Sequence, residues 1–378
     1  MKPVYITGSS VITTLTDPGN IHSGQISQIS LDILGKSEDF PYFCIANPDI
    51  STGAERMFHI THDVVTKAIN ESGLTAEELQ HTALFVGSTS YSIPLTEQNY
   101  VNELKVDPNA SPIGLSIYEE LTNYIREQFM PMANSFSLHT ACTSSANALI
   151  YASKMIGTGK IRHALIVGLE FFNKTTLFGF HALNLISKSR IQPFGTDRDG
   201  IILGEGCSAV VLSCTKPQSS HPITILGGAT SVDTDSMTTV KSDGTSIASV
   251  IHDALVQTNT KPEEISAIKL HGTASQSNDN AESAGIKLIF DKRLPPVIAL
   301  KPSIGHTLGA CGTNEISILR HYLQKNLLPG LPYSYPMDPE LNIHLQTSDI
   351  PIKPGKFLLN HFGFGGNNTA LIVSNVEP

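Results

Sequence analysis

The sequence of 378 residues is 40% hydrophobic and 16% charged, which is typical of a folded globular protein with a large core and excludes a disordered chain. Its formal net charge of −9 argues against nucleic acid or an anionic membrane as a partner, because such ligands bind basic surfaces. No apolar run reaches the ~20 residues of a membrane helix, and residues 1–8 lack the apolar core of a signal peptide, so we expect a cytoplasmic protein without membrane insertion.

Short apolar runs alternate with stretches of helical periodicity along the chain. The apolar runs predict buried strands at residues 4–7, 82–86, 164–167, 209–212, 265–269, 297–300 and 370–373. Between them, apolar residues at helical spacing predict helices at residues 62–71, 145–156, 246–257 and 315–324. This alternation favours a layered α/β fold in which most strands are buried.

A polar segment at residues 216–222 (KPQSSHP) is the best candidate for an internal boundary, because it is short and contains two prolines. It predicts two units of the chain, residues 1–216 and residues 217–378. Each unit opens with a strand that runs into a glycine, at Gly8 and at Gly227, and this likeness indicates an internal duplication.

The cysteines are odd in number and far apart, at Cys44, Cys142, Cys207, Cys214 and Cys311. No two of them have the close spacing of a zinc site, and a cytoplasmic chain carries its cysteines reduced. His59 and His62 are spaced to share a helix face, but no third ligand accompanies them. The sequence therefore predicts no metal site.

Cys142 lies where an extended segment meets a predicted helix, within residues 138–149 (LHTACTSSANAL). Free N–H groups and the positive end of the helix dipole stabilise a thiolate at such a place, and the small neighbours leave room for a substrate carbonyl. A buried, inert cysteine in a tight turn explains the same residues equally well. The string alone therefore leaves a nucleophile and a structural cysteine open.

His271 directly follows a predicted strand, within residues 269–275 (KLHGTAS). A histidine at the carboxyl end of a strand, followed by glycine and hydroxyl residues, is placed to face a cleft. Farther on, Asp279 and Glu282 are placed to cap the next helix near its positive end. Taken alone, such a histidine is more often a hydrogen-bonded core residue than a catalyst.

Lys301 and His306 share a second string of this kind, residues 300–310 (LKPSIGHTLGA). A lysine in so tight a turn needs a buried carboxylate partner, and Glu315 on the next predicted helix is the nearest candidate. In isolation, a structural turn with a solvated lysine is the default interpretation of this string.

A glycine-rich string occupies residues 360–368 (NHFGFGGNN) and suits a backbone that approaches a ligand closely. A dinucleotide-binding loop needs a different order of glycines and a helix after it. Here a strand is predicted to follow, so the sequence excludes that function.

Together, the four strings resemble the β-ketoacyl-acyl-carrier-protein synthases of the thiolase superfamily that use a Cys-His-His active site, in order and spacing along essentially the whole chain. The resemblance implies the five-layered αβαβα thiolase fold, built from two duplicated halves. It assigns the active site to Cys142, His271, His306, Lys301, Glu315 and Phe364. Lys301 and Glu315 would form a buried pair that organises His271.

The resemblance also implies a reaction. Cys142 would accept an acyl group from the phosphopantetheine of an acyl carrier protein, and the N–H groups of Cys142 and Phe364 would form the oxyanion hole. Malonyl-carrier protein would then lose carbon dioxide, and His271 and His306 would stabilise the enolate that attacks the acyl group. The activity implied is that of an acyltransferase that extends a fatty-acid, polyene or polyketide chain.

The substrates of such an enzyme arrive on the carrier, so the resemblance implies no metal and no bound cofactor. Thr273 and Ser275 are expected to contact the phosphopantetheine arm. The expected partners are an acyl carrier protein and, in a dimer, either a second copy of the chain or a chain-length-factor-like paralogue.

Related protein classes fit less well. A thiolase uses a second cysteine as its base, and Cys311, which stands where the family usually has alanine, lacks that context. A synthase of the third type carries asparagine in place of His306, and a chain-length factor has lost the nucleophile that Cys142 provides. The remaining alternative is a non-catalytic, chain-length-controlling or structural subunit of a ketosynthase heterodimer that keeps these residues.

Departures from the family pattern concern the substrate. The segments before Cys142 and around residues 233–245 are shorter than usual, and they normally shape the dimer face and the acyl pocket. Ile201, His139 and His361 replace other residue types near the expected site. These changes favour a specialised enzyme, such as the ketosynthase of an aryl-polyene or type II polyketide pathway.

Other departures concern the partner. Basic residues that hold the acidic carrier in this family are sparse, because Asn184 stands where arginine is common and the segment around Arg56 has lost most of its positive charge. Lys188 and Arg190 remain as candidate docking residues. A paralogous partner would supply what this chain lacks, whereas a plain homodimer would depend on the remaining cations.

Overall fold

The computed structural model describes residues 2–33, 35–45, 53–110, 119–130, 132–217, 222–236, 240–291 and 293–376. The strands in these ranges are β1 (Tyr5–Ile12), β2 (Ser27–Ile33), β3 (Lys36–Tyr42), β4 (Ala83–Gly87), β5 (Ser135–Leu138), β6 (His163–Glu170), β7 (Gly206–Ser213), β8 (Ile223–Val232), β9 (Ile265–Lys269), β10 (Val297–Ile298), β11 (Leu327–Leu328), β12 (Ile350–Pro351), β13 (Lys356–Phe362) and β14 (Asn367–Ser374). The helices are α1 (Ala54–Ser72), α2 (Ala76–Gln80), α3 (Ile93–Val106), α4 (Glu120–Phe129), α5 (Ser144–Gly157), α6 (Lys174–Ala182), α7 (Thr245–Gln257), α8 (Gln276–Ile289), α9 (Lys301–Ile304) and α10 (Cys311–Leu323).

The main sheet has the strand order β10-β9-β13-β14-β8-β1-β7-β6-β4-β5. In one half, β5, β4 and β6 run parallel, and β7 pairs antiparallel with both β6 and β1. In the other half, β10, β9 and β13 run parallel, and β14 pairs antiparallel with both β13 and β8. The strands of the two halves thus have the same order and the same relative directions, so the predicted duplication is confirmed.

The two halves of the sheet meet at β1 and β8, which pair antiparallel at Tyr5–Thr224 and Ile6–Ile223. The chain passes from the first half to the second between the end of β7 and the start of β8. Residues 218–221 of the predicted boundary segment lie outside the described part of the chain. The division into residues 1–216 and 217–378 stays a prediction.

The layers follow from the alternation of side chains along each strand. In β6, Ala164 and Ile166 belong to the apolar cluster that also contains residues of α5 and α10, whereas Leu165 and Val167 belong to the cluster with α1 and α4. On the other half of the sheet, β9, β13 and β14 bury their outer faces under α7 and α8. The result is five layers, with α5 and α10 in the middle.

The two central helices pack against each other with very little space between their backbones. A β-carbon on Gly312 of α10 would lie 2.2 Å from the backbone nitrogen of Ala146 in α5, which is closer than real contacts allow. Glycine is therefore required at this point of α10. The close approach brings the start of α5, which follows Cys142, next to the turn of α10 that carries Glu315.

The predicted strands and helices are present, with shifted ends. Helix α1 begins at Ala54 rather than at residue 62, and β10 ends at Ile298 because the chain turns into α9, with Pro302 in its first turn. In the described ranges, no helix has both the length and the apolar character that crossing a membrane requires.

Candidate active site

A cavity of about 190 Å³ opens beyond the carboxyl ends of β5, β9 and β13. The residues that line it are Cys142, Phe180, Leu183, Leu185, Ile201, His271, Thr273, Ser275, Ser277, Asn278, His306, Phe362 and Phe364. The cavity thus brings together most of the predicted site, and the predicted pair of Lys301 and Glu315 lies buried behind His271. Parallel strands place their following loops at one edge of the sheet, which explains this convergence.

Cys142 stands in a strained turn between β5 and α5. Ala141, directly before it, has a φ of +50°, a left-handed conformation that is unfavourable for a residue with a β-carbon. The hydroxyl of Ser144 holds the turn, since it donates to the Ala141 carbonyl at 2.7 Å and accepts from the Thr140 amide at 2.9 Å. The turn presents the sulfur to the cavity two residues before α5 begins, as predicted.

The backbone at Phe364 approaches Cys142 closely. The Phe364 amide lowers the pKa of the Cys142 thiol, and a β-carbon on Gly363 would lie 3.0 Å from the Cys142 backbone nitrogen. The φ of Gly363 is −131°, so closeness to Cys142, rather than backbone conformation, disfavours a larger residue here. The ring of Phe180 stacks on Phe364 with 5.3 Å between centroids, so an aromatic pair covers this part of the cavity.

The resting sulfur of Cys142 is a thiol. Burial raises the pKa of Cys142 to about 12, with a further rise from Cys311, while the charge of Lys301 and the Phe364 amide act in the opposite direction. The sequence predicts that the helix N-terminus stabilises a thiolate here, whereas burial favours the neutral thiol.

Hydrogen bonds to the ring of His306 define its tautomer. Its Nδ1 accepts from the Leu308 amide at 3.2 Å, and the sulfur of Cys311 lies 3.3 Å from the same nitrogen. Because a backbone N–H can only donate, Nδ1 carries no proton and Nε2 does. His306 is therefore a hydrogen-bond donor at Nε2.

Hydrogen bonds with α8 and α9 likewise fix the position and the tautomer of His271. Its backbone amide donates to Oε1 of Glu282 at 2.8 Å, and Nζ of Lys301 lies 2.6 Å from its carbonyl oxygen and 3.3 Å from its Nδ1. An ammonium group can only donate, so the ring proton of His271 also stands on Nε2. That nitrogen is buried and has no partner in the described part of the chain.

The two imidazoles are neutral and lie next to each other, with 5.4 Å between ring centroids and 84° between their planes. Burial lowers the pKa of both His271 and His306 well below the usual value, and the charge of Lys301 lowers it further. Two neutral N–H donors on one cavity wall suit an oxygen atom that gains negative charge.

The predicted contact between Lys301 and Glu315 is present, at 2.9 Å. Glu315 also accepts a hydrogen bond from a second buried lysine, Lys269, whose ammonium group donates to the Asn360 carbonyl at 2.6 Å and lies 3.5 Å from Nδ1 of His361. Lys269 was not among the predicted site residues, although a lysine at the end of a buried strand and two residues before His271 was a visible signal.

Glu170 is a second residue near the site that was not predicted from the sequence. Its buried carboxylate, at the end of β6, accepts from the hydroxyls of Ser88 and Ser90 and from the amide of Gly309, three residues after His306. Burial raises the pKa of Glu170, and these hydrogen bonds oppose the rise. It thereby fixes the loop of His306 against the end of β4.

Thr273 and Ser275 line the cavity, and their role toward phosphopantetheine stays a prediction. Ser275 is the N-cap of α8, where Asp279 and Glu282 were expected. The carboxylate of Asp279 instead accepts from the amides of Phe194, Thr273 and Ala274. The carboxylates of α8 thus organise the loops around the site rather than the start of their own helix, and burial raises the pKa of Asp279 to about 7.

Other residues singled out in the sequence lie away from the chemistry. His62 packs on the ring of Phe129, and the described residues contain no group of three side chains placed to hold a metal ion. Arg56 forms a bidentate ion pair with Glu205, at 2.8 Å and 2.7 Å, and also donates to the Ile45 carbonyl. These contacts give Arg56 a structural role.

Comparison with known proteins agrees with the resemblance seen in the sequence. The chain matches the family model of the β-ketoacyl synthase N-terminal domain over residues 22–217 and that of the C-terminal domain over residues 223–332. It is 24% identical to "Putative polyketide beta-ketoacyl synthase 1" of Streptomyces cyaneus over 96% of this chain and 90% of that protein. It is 26% identical to "Probable polyketide synthase 26" of Dictyostelium discoideum over 94% of this chain, but spans 15% of that much longer protein.

Solved structures share the fold. A chain of the complex titled "Ketosynthase (ApeO) in Complex with its Chain Length Factor (ApeC) from Xenorhabdus doucetiae" superposes with a TM-score of 0.78 at 24% identity, over 99% of this chain and 98% of that one. A chain of the AntDE:AntF complex, a type II polyketide ketosynthase with its acyl carrier protein, superposes with a TM-score of 0.84 at 19% identity over the whole of both chains. The predicted thiolase fold is confirmed.

Proposed function

Because the chain belongs to the β-ketoacyl synthase family, we propose that it catalyses the decarboxylative Claisen condensation of an acyl group on Cys142 with malonyl-acyl carrier protein. In terms of enzyme class it is then an acyltransferase. The observation that supports this most strongly is the convergence of the Cys142 sulfur, the Phe364 amide and the Nε2–H groups of His271 and His306 on one cavity.

The first half of the reaction loads Cys142. Its sulfur attacks the carbonyl of an acyl thioester, and the oxyanion is held by the amides of Cys142 and Phe364, each such contact being worth ~3–4 kcal/mol. The bond from the acyl carbon to the carrier sulfur then breaks, and the proton of Cys142 leaves with the carrier thiol. The acyl group remains on Cys142.

The second half forms the carbon–carbon bond. Nε2–H of His271 and Nε2–H of His306 donate to the thioester oxygen of malonyl-carrier protein, which stabilises the enolate that forms as carbon dioxide leaves. The enolate carbon attacks the acyl carbonyl, the bond to the Cys142 sulfur breaks, and that sulfur takes up a proton. The lengthened β-ketoacyl chain stays on the carrier.

Lys301 holds His271 and does not itself transfer a proton. Burial lowers the pKa of Lys301, but Glu315 outweighs this and keeps it above the usual value, so the ammonium form persists. Its hydrogen bond at Nδ1 keeps the ring proton of His271 on Nε2. It acts as a positioning residue for one of the two enolate donors.

No bound cofactor or metal is needed by this proposal, because phosphopantetheine arrives with the carrier, whose arm we expect to contact Thr273 and Ser275 on the cavity wall. The solved relatives whose titles name a chain length factor or an acyl carrier protein support the same classes of partner here, beside a homodimer. All the cysteines are free, which fits the predicted cytoplasm. An aryl-polyene or polyketide pathway remains our proposal for the substrate class.

The test is a reconstituted extension assay. The purified chain, alone and with each candidate paralogue, is incubated with acyl-carrier and malonyl-carrier protein, and intact mass follows both acylation of Cys142 and the β-ketoacyl product. Cys142→Ala is the matched control and should abolish both signals. A chain that stimulates a paralogue but never carries an acyl group on Cys142 would instead be the non-catalytic subunit.

A further inference from the structure

Lys269 occupies a position that no part of the proposed reaction uses. It is the last residue of β9, and its side chain is fully buried. Its ammonium group contacts Glu315 of α10 and the Asn360 carbonyl of β13. One carboxylate therefore serves two buried lysines, Lys269 and Lys301.

These contacts connect the two parts of the active site. Asn360 stands four residues before Phe364, which provides an oxyanion amide, and its side-chain amide donates to Glu282 at 3.2 Å. The same oxygen of Glu282 accepts from the backbone of His271. Lys269, at the end of the strand that leads to His271, thus connects β9 to β13, the strand that leads to Phe364.

We propose that Lys269 is a positioning residue that, through Glu315 and the Asn360 carbonyl, holds Phe364 and the Lys301–His271 pair in one fixed arrangement. The inference rests on the function proposed above. Its consequence is that both half-reactions depend on Lys269, because one uses the Phe364 amide and the other uses His271.

The charges in this cluster argue against a purely structural role. Removing a charge from water is unfavourable unless a partner compensates for it, and Glu315 already has a partner in Lys301. Neutralising the buried carboxylate of Glu315 therefore does not require a second lysine. The titratable groups that face Lys269 are Glu315 and Cys311 of α10, Lys301 of α9, Glu282 of α8, His361 of β13, and the rings of His271 and His306.

The two lysines differ in how tightly they hold their protons. Burial lowers the pKa of Lys269, and Glu315 compensates only in part, whereas the pKa of Lys301 is raised. As pH rises through its pKa, Lys269 loses its charge. Below its pKa the arrangement is intact, and above it the contact between Lys269 and Glu315 weakens.

The decisive variant is Lys269→Met, which keeps most of the side-chain volume and leaves Lys301 and Glu315 as a one-to-one pair. We expect kcat to fall roughly 100-fold for acyl transfer to Cys142 and again for condensation, with the KM for each carrier unchanged, because a small misplacement of reacting groups has that effect. Lys356→Met is the matched control. It removes a lysine–glutamate contact at the far end of β13, to Glu264, and should leave kcat at the wild-type value.

A pH profile separates positioning from packing. Wild-type kcat should fall at alkaline pH, and this alkaline limb should be absent from Lys269→Met, which has no ammonium group to lose. A variant that turns over at the wild-type rate in both half-reactions, or that is slow but keeps the limb, overturns the proposal. If the variant does not fold, the pH profile of the wild-type protein decides. A wild-type kcat that does not fall at alkaline pH would also overturn the proposal. Failure of the wild-type chain to load Cys142 at all would count against the proposed function instead.

Discussion

The Leu308 amide donates a hydrogen bond to Nδ1 of His306 over 3.2 Å, which leaves the ring proton of His306 on Nε2. Lys301 has the same effect on His271 from a different element. A backbone amide and a buried ammonium group thus give both histidines one tautomer. The site has two neutral donors rather than a donor and a base, which is suited to stabilising an enolate and not to abstracting a proton.

His271→Ala and His306→Ala should each reduce condensation by roughly 100- to 1,000-fold, the effect of losing one donor to a developing oxyanion. Acylation of Cys142 should fall much less, because it uses the backbone amides. Single-turnover assays of each half-reaction by intact mass provide the measurement. His59→Ala, an exposed histidine on α1, is the control, and a histidine variant that condenses at the wild-type rate would have no place in the mechanism.

The rate of condensation should also show no change near pH 6.5, where an ordinary histidine gains its proton. Burial holds the pKa of both His271 and His306 well below that value, so the neutral donors persist and are lost only at lower pH. A rate measured from pH 5 to pH 8 with the pre-acylated enzyme tests this. A fall in rate centred on pH 6.5 would contradict the neutral assignment.

Gly363→Ala should impair the oxyanion hole without unfolding the protein. A β-carbon there would lie 3.0 Å from the Cys142 nitrogen and 3.4 Å from the Thr140 oxygen, in a backbone conformation that alanine adopts freely. We expect kcat for acyl transfer to fall by roughly 100-fold or more. Gly179→Ala is the control, because nothing lies within 4 Å of its β-carbon in α6, and it should keep full activity. Equal activity of both variants would remove Gly363 from the site.

The sequence was sufficient to predict Cys142, His271 and His306, which the structure brings together at one cavity, and insufficient for the residues that hold them in place. Cys142, His271 and His306 each follow a strand in a string of small residues, so their placement could be deduced locally. Glu170 could not, because it bonds to Ser88, 82 residues away, and to Gly309, 139 residues away. Only the folded sheet brings these segments together.

Local sequence also misjudged the helix start after His271 and the state of Cys142. Asp279 has the residue type of a cap, but Ser275 takes that place and leaves the carboxylate free to bind three loop amides. The position of Cys142 before α5 was correct, yet its pKa depends on burial in the apolar cluster that also contains Ile201, Leu203 and Leu308. Burial depends on the whole fold and cannot be predicted from a string of six residues.

Alkylation of Cys142 by iodoacetamide should be slow at pH 7 and should increase about tenfold per pH unit up to pH ~11, because only the thiolate reacts. Burial, which raises the pKa of Cys142 to about 12, is the cause. An acyl-carrier substrate, which is held by the oxyanion hole, should label Cys142 at neutral pH. Peptide mapping after each treatment provides the measurement, with the partly exposed Cys214 as internal control. Rapid alkylation of Cys142 at pH 6 would show that the resting sulfur is a thiolate.

Asp279 should make the free energy of unfolding fall as pH rises. Burial raises its pKa to about 7 from the usual 3.8, so the folded protein binds this proton more tightly than the unfolded chain does. Its contribution to stability is therefore fully present below pH 4, declines between pH 4 and pH 7, and does not change further above pH 7, where it has been lost. Asp279→Asn should remove this dependence and cost about 1–3 kcal/mol, because the Phe194 amide then lacks its acceptor. Urea unfolding from pH 4 to pH 8 measures both effects, with Asp253→Asn, an exposed change on α7, as the control. If the free energy of unfolding of Asp279→Asn changes with pH as steeply as that of the wild type, the prediction is contradicted.

The edge of the sheet at β5 should carry the contact with a second subunit. In the described part of the chain β5 pairs with β4 on one side and leaves its other edge open, and the nearby Phe136 and Met132 are 40% and 78% exposed. An open edge with apolar side chains is a ready template for strand pairing with another chain. We expect the wild-type protein to form a dimer, with itself or with a paralogue, and Phe136→Glu to leave a folded monomer, because the carboxylate would be buried without a partner. Native mass spectrometry of each protein, alone and mixed with the paralogue, provides the measurement. Val256→Glu, a change of the same kind at an exposed site on α7, should leave the dimer intact, and a Phe136→Glu dimer of wild-type mass would place the contact elsewhere.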